Sequence, residues 1–268
     1  EKGADVIAKD NDGDTPLHYA GRANLEDVAR ILIEKGAVVN AKNNSGDTPL
    51  SWACGKGHVN MAQFLIERGA DVNAEDNHWD TPLFGACDKG HEDVARLLIE
   101  KGADVNHPNL GTDPTKPELG SLDDPGSPLG QGRVPGMMPN FQGMPGSGMY
   151  GMGMYGMPGM MGMGGRDDGL ESLSVISLAV RICDPDFLEL LIDKGAETDR
   201  REEDGSTPLH HAAANPNSAI LKFFLAKQAN QAMDDLYAAI QIAASSGRLE
   251  QVKMLEQAGA NLDDIINA

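Results

Sequence analysis

The sequence predicts an all-α solenoid of about six helix pairs joined by finger loops and interrupted by a disordered insert. Thr-Pro-Leu occurs at 15–17, 48–50 and 81–83, two steps of 33, and again at 207–209. A Gly-Ala pair falls at 3, 36, 69, 102 and 195, Gln228-Ala229 stands 33 residues further on, and Gly259-Ala260 follows after 31. From 102 to 195 is one period plus 60 residues, which places the insert between the third and fourth pairs. A fixed period of this length is the mark of a repeat array, in which each unit covers its apolar side only by stacking on its neighbours.

Each unit has a physical reading. Thr15 caps a helix, Pro16 takes the first helical position where a missing N–H costs nothing, and Leu17 opens the buried face. This short helix runs to about Arg22, and a turn follows, written Gly57-His58 and Gly90-His91 in the next two units. The second helix, Glu92 to Lys101, has Val94, Leu97 and Leu98 at helical spacing for burial and its charges on the other side. Gly102 stops it in a left-handed conformation. A stretch such as Asp104-Val105-Asn106 then leads into an extended finger toward the next cap.

These motifs resemble the ankyrin repeat. Thr15-Pro16-Leu17-His18-Tyr19-Ala20 and Thr207-Pro208-Leu209-His210-His211-Ala212 match its signature, and Gly-Ala-Asp-Val-Asn at 69–73 and 102–106 matches its ending. The resemblance covers about 200 of the 268 residues. It implies an L-shaped solenoid whose fingers and first helices line a concave face used for protein binding. Two units depart from the signature, with Ser174 to Ala179 in the fourth and Ala238 to Ala243 in the sixth; both keep the buried positions. Residues 1–106 then read as a partial repeat plus three, 107–173 as the insert in a finger loop, and 174–268 as three repeats stacked on the first block.

The histidines fall into the same period. His18 and His210 belong to the signature and His58 and His91 to the inter-helix turn, where the resemblance implies hydrogen bonding. His78 and His107 lie near finger positions, and His211 is an extra. No group of them has the convergence that zinc needs. Cys54 and Cys87 share one slot, and equivalent helices of adjacent repeats lie roughly 8–10 Å apart, too far for a disulfide. Cys183 precedes Asp184-Pro185, a cap and first-turn pair. Three unbridged thiols lean toward a reducing compartment. No nucleophile motif, phosphate loop or dinucleotide fingerprint occurs, so neither enzyme activity nor a cofactor is expected.

The insert is unusual in composition. Residues 107–135 are rich in Pro, Gly, Ser and Asp and read as a polar linker, while 136–165 hold 11 Gly, 10 Met and three Pro without a charge. Gly and Pro at that density forbid a membrane helix, and no membrane insertion is expected within these residues. The composition is like the glycine–methionine tails of bacterial chaperonins and signal-recognition proteins. Three readings stay open: a flexible tether, an adaptable apolar lure, or a soft-metal site for Cu(I) or Ag(I) built from Met152, Met154, Met157 and Met160 with Met161 and Met163 nearby. Leaving repeats three and four unstacked would expose several aliphatic side chains at roughly 1.5–3 kcal/mol each, against about 2 kcal/mol of loop entropy, so stacking is expected to win.

Net charge is −19 and spread along the chain, which argues against nucleic acid and anionic membrane surfaces as partners. Glu1 to Val6 repeats almost verbatim at Glu100 to Val105, so the first residues read as the end of a further repeat. The expected partner is an unidentified protein. Its contact residues are expected on the fingers and helix ends: Asp12, Asp14, Asn44, Asp47, Lys56, Asn77, His78, Trp79, Asp80 and Lys89. Gly13, Gly46 and Gly205 mark the finger turns before the caps, and Trp79 stands where the third finger's Gly belongs. Since Trp is costly at positive φ, this finger is expected to adopt another conformation, with its indole either turned outward among Asp47, Glu75, Asp76 and Asp80 or folded back onto a neighbouring finger.

Overall fold

The structure, a computed structural model, describes residues 5–107, 173–182, 184–202, 204–227 and 233–260. Among these it holds twelve helices and no strand: α1 (Pro16–Arg22), α2 (Glu26–Glu34), α3 (Pro49–Gly55), α4 (Val59–Glu67), α5 (Pro82–Asp88), α6 (Glu92–Glu100), α7 (Val175–Ile182), α8 (Pro185–Asp193), α9 (Pro208–Ala214), α10 (Ser218–Lys227), α11 (Met233–Ser245) and α12 (Leu249–Gln257). They form the six pairs that the 33-residue period predicts. The Met-rich insert lies outside the described residues.

Local sequence sets the ends of each helix. Thr15, Thr48, Thr81 and Thr207 precede Pro at the first helical position with extended backbone, as the cap requires. In α1 the Thr15 N–H donates to Nδ1 of His18, so Nε2 of the neutral ring carries the proton and donates to the Asp47 carbonyl of the next unit, 3.0 Å away. The signature histidine therefore caps its own helix and ties down its neighbour. Asp184 caps α8 by accepting the Phe187 N–H at 3.0 Å. At the other end of the second helices, Gly36, Gly69, Gly102, Gly195 and Gly259 take φ between 90° and 115°.

Stacking follows the order of the chain. First helices pack α1 on α3, α3 on α5, α5 on α7, α7 on α9 and α9 on α11, with α2 on α4, α4 on α6, α8 on α10 and α10 on α12 behind them. Two polar ladders reinforce the apolar core. One runs through the inter-helix turns: His58 to the Arg22 carbonyl, His91 to the Gly55 carbonyl, Asn215 to the Val180 carbonyl, Gln251 to the Asn215 carbonyl. The other is an Asn clamp that donates to the carbonyl of the next unit's terminal Gly and accepts an N–H two residues later: Asn40 on Gly69 and Asp71, Asn73 on Gly102 and Asp104. Asn106 makes the same two bonds to Gly195 at 2.7 Å and Glu197 at 2.9 Å, across the position of the insert. Arg96 of α6 adds to that seam, its guanidinium 5.3 Å from the Phe187 ring.

The structure corrects three details. In α6 the buried set is Val94, Ala95, Leu98 and Ile99, and Leu97 is half-buried, because the pair packs on two neighbours and so needs a wider apolar face than one stripe. α11 begins five residues before Ala238 and is 13 residues long against seven for its counterparts α1, α3, α5 and α9. The fourth unit replaces the signature hydrogen bonds with a buried carboxylate: Glu202 accepts from the Ser174 N–H and from the Ser174 and Ser177 hydroxyls, at 2.7 and 2.6 Å for the hydroxyls. Ser177 occupies the His18 register, and Glu202 stands on the next unit's finger. The tie between neighbours is thus kept, with the earlier unit donating to the next unit's finger in both cases.

Candidate functional site

The first three fingers are built by one rule. Asp10, Asn43 and Asp76, 33 residues apart, each turn a side-chain oxygen back onto two N–H groups of their own turn, Asp12 and Asp14, Ser45 and Asp47, His78 and Asp80, at 2.7 to 3.0 Å. Successive fingers are then cross-linked. Asn44 donates to the Asn11 carbonyl and Asn77 to the Asn44 carbonyl, while the Lys9 ammonium reaches the Lys42 carbonyl and Lys42 that of Glu75. The side-chain amides of Asn44 and Asn77, expected as partner contacts, are engaged in this ladder. His107 closes the third finger on Glu75 at 2.7 Å.

Trp79 is the clearest correction. It keeps the left-handed backbone of its glycine counterparts, φ 65° against 80° at Gly13, 83° at Gly46 and 80° at Gly205, and its side chain is half-buried rather than turned outward. The Asp76 side chain holds the turn, so local hydrogen bonding outweighs the Cβ penalty of roughly 1–2 kcal/mol. A second reason for glycine is spatial. A Cβ on Gly13 would stand 2.6 Å from Asn44 of the next finger, and one on Gly46 2.7 Å from Asn77. At Trp79 the corresponding register is Leu110, outside the described residues.

Acid crowds this side of the repeats. Asp12 is exposed; Asp14, Asp47 and Asp80 are half-buried. Burial pushes the Asp47 carboxyl above its usual range, and Asp76 and Asp14 push it the same way, against hydrogen bonds from Asn43 and Ser51 that lower it. Asp10 is held below its usual range by the Tyr19 hydroxyl, which donates to it at 2.5 Å. Lys56 and Lys89 are exposed at the ends of the first helices, with Lys89 paired to Asp88 at 2.7 Å. Between acids and lysines lie residues that the sequence reading passed over. Tyr19 of α1 and Trp52 of α3 share one register, and the Arg22 guanidinium sits 4.8 Å from the centre of the Trp52 ring. The signal was in the sequence, since both aromatics follow the signature's buried fourth residue at a slot that faces the fingers, as the Tyr19–Asp10 bond shows.

Among the described residues no group of three or more His, Cys, Asp or Glu side chains could hold a metal ion, and no helix is long and apolar enough to cross a membrane. Cys54 and Cys87 are buried, and burial pushes the Cys54 thiol far up, which disfavours the thiolate a nucleophile needs. Met152, Met154, Met157 and Met160 lie outside the described residues.

Comparison with known proteins agrees with the repeat geometry. The family described as "Ankyrin repeats (3 copies)" matches residues 39–109 and 176–265, and "Ankyrin repeat" matches residues 12–44. The ADP-ribosylation factor GTPase-activating protein AGD2 of Arabidopsis thaliana is 38% identical over 66 residues, which is 25% of this chain and 8% of that protein. The chain therefore spans less than a tenth of the length of the relative it matches, and the matched stretch equals two repeat lengths. With more than half of its residues matched and the caps, ladders and stacking in place, the chain belongs to the ankyrin-repeat family.

Proposed function

We propose that the chain is a protein-interaction scaffold that holds its partner on the face formed by the fingers and first helices, the concave face in ankyrin repeats. One observation carries the reading. Asp12, Asp14, Asp47, Asp76 and Asp80 gather acid on fingers cross-linked into one row, and burial and the acids at 76 and 14 disfavour the charge on Asp47. A cationic partner would relieve that crowding. The contact set is Asp12, Asp14, Asn44, Asp47, Lys56, Asn77, His78, Trp79, Asp80 and Lys89. The two repeat blocks act as one holder, with the sequence of residues 107–173 inserted in the finger between them; the Asn106 clamp and the packing of α5 on α7 support the joint holder.

The test is affinity capture with the intact chain and with a variant carrying Asp12→Lys, Asp47→Lys and Asp80→Lys. We expect a discrete set of proteins on the first and its loss on the second, at unchanged helical content. Equal recovery on both would move the binding face elsewhere. A Cu(I) or Ag(I) role for Met152, Met154, Met157 and Met160 rests on the softness of thioether ligands, and titration against a competing chelator decides it. The GTPase-activating activity in the relative's name stays with that protein.

A further inference from the structure

The glycines of this chain divide by what makes them glycine. Among the described residues eleven take positive φ, where a Cβ is strained. Gly21, inside α1, lies so close to α3 that a Cβ would stand 2.5 Å from the Pro49 carbonyl oxygen. Gly55 and Gly85 fit neither class. Both are in first helices, neither has a positive φ, and a Cβ built on either meets no atom within 4 Å. Glycine in a helix costs stability relative to alanine, and here neither conformation nor packing requires it.

What these two positions share is Trp52. Gly55 lies three residues on, on the same face of α3, and Gly85 is the Trp52 register one repeat later, on the helix packed beside it. Arg22 covers the ring from the other side. The result is a step beside a half-buried indole, open where a side chain would otherwise stand. Asp47 and Asp80 directly precede the caps of α3 and α5, and Lys56 and Lys89 follow the other ends of the same helices. We propose that this step is the anchor pocket of the scaffold: it takes one large aliphatic or aromatic side chain of a partner segment whose neighbouring residues are Lys or Arg. The apolar side chain lies on the Trp52 face between Gly55 and Gly85, and the cations meet the finger acids. This deepens the reading given under Proposed function and rests on it. Charge complementarity chooses a basic segment, because the finger acids Asp10, Asp12, Asp14, Asp47, Asp76 and Asp80 outnumber the finger ammoniums of Lys9 and Lys42.

The experiment selects a phage-displayed library of random dodecapeptides on the intact chain and measures the enriched peptides by titration on variants. We expect peptides with a single Leu, Ile, Phe, Met or Trp flanked by Lys or Arg. Gly85→Leu should weaken them at least tenfold while leaving the melting temperature equal or higher, since leucine is the better helix former. Gly85→Ala should fall between the two, and Trp52→Ala should weaken binding comparably. Acidic or anchorless peptides, no enrichment, or binding that survives Gly85→Leu would each overturn the pocket. The charge-reversed Asp12, Asp47 and Asp80 variant separates the two readings. Peptides that lose binding there but tolerate Gly85→Leu leave the finger face standing without this pocket, and peptides indifferent to both refute the face itself.

Discussion

Trp79 shows what one residue's identity can and cannot dictate. The sequence flags it as foreign to its slot, and the steric penalty argues for a changed turn. The turn is nonetheless kept, because two N–H groups bonded to the Asp76 side chain specify it and one Cβ opposes it. Trp79→Gly should therefore be more stable than Trp79→Ala by about 1 kcal/mol, the reverse of the order in a helix, as chemical denaturation can measure. An alanine variant as stable as the glycine one would mean that the left-handed backbone stores no strain there. Protonation gives a second test at this scale. Burial lowers the affinity of His210 and His211 for a proton below the ordinary 6.5, opposed at His210 by Asp235 and Asp204 and at His211 by Glu202 and Asp204. His210 lacks the helper that His18 has, because α11 begins a turn early and its Nε2 finds no well-aligned acceptor among the described residues. Since the unfolded chain takes these protons first, their contribution is present above pH 6.5 and is lost as pH falls below it. His211→Gln should flatten the fall in melting temperature between pH 7 and pH 5, a range chosen to bracket roughly the ordinary imidazole value.

Two helices make the case for context at the scale of the element. α2 and α6 read Glu-Asp-Val-Ala-Arg-Ile-Leu-Ile-Glu and Glu-Asp-Val-Ala-Arg-Leu-Leu-Ile-Glu, differing at one position. Yet α6 buries Val94, Ala95, Leu98 and Ile99, and α2 buries Ala29 alone. Val28 is 43% exposed, whereas Met61 and Val94, one and two repeats along the same register, are at 0% and 1%. Periodicity told which face is apolar, and only the neighbours decide whether it is covered. Val94→Ala should cost about 2 kcal/mol, and the chemically identical Val28→Ala under about 0.5 kcal/mol. Equal costs would show that α2 is covered in solution. The same logic marks the boundary of what was legible. Caps, glycine stops and helix count follow from local chemistry, which a 33-residue period displays openly. The Glu202 cluster was hidden because its donors, Ser174 and Ser177, lie in a unit without the signature, 28 and 25 residues before their acceptor. Of the candidate site, the sequence placed the acidic residues on finger loops but did not show the partial burial of Asp14, Asp47 and Asp80. The Trp52 step was not legible, since nothing in a sequence says that a glycine's missing side chain leaves empty space.

For the whole molecule the question is whether an array interrupted by a long insert still melts as one body. A solenoid's cooperativity lives in its nearest-neighbour interfaces, so the weakest seam sets where it splits. The seam between the third and fourth repeats keeps α5 on α7, the Asn106 clamp with its two bonds, and Arg96 against Phe187, with less second-helix packing than the other seams. Closing a longer loop at a seam costs about 0.6 kcal/mol for each doubling of loop length. Deleting residues 110–169 should therefore give a single transition with equal or slightly higher melting temperature. Asn106→Ala in the full chain removes both bonds at this one seam, for a cost of about 1–3 kcal/mol. It should broaden the transition or divide it in two, while Asn40→Ala, the same change inside the first block, lowers the melting temperature without dividing it. Calorimetry on the three variants decides the matter. Two transitions in the deletion variant, or one sharp transition in Asn106→Ala, would mean that the blocks are coupled through the insert rather than through the clamp.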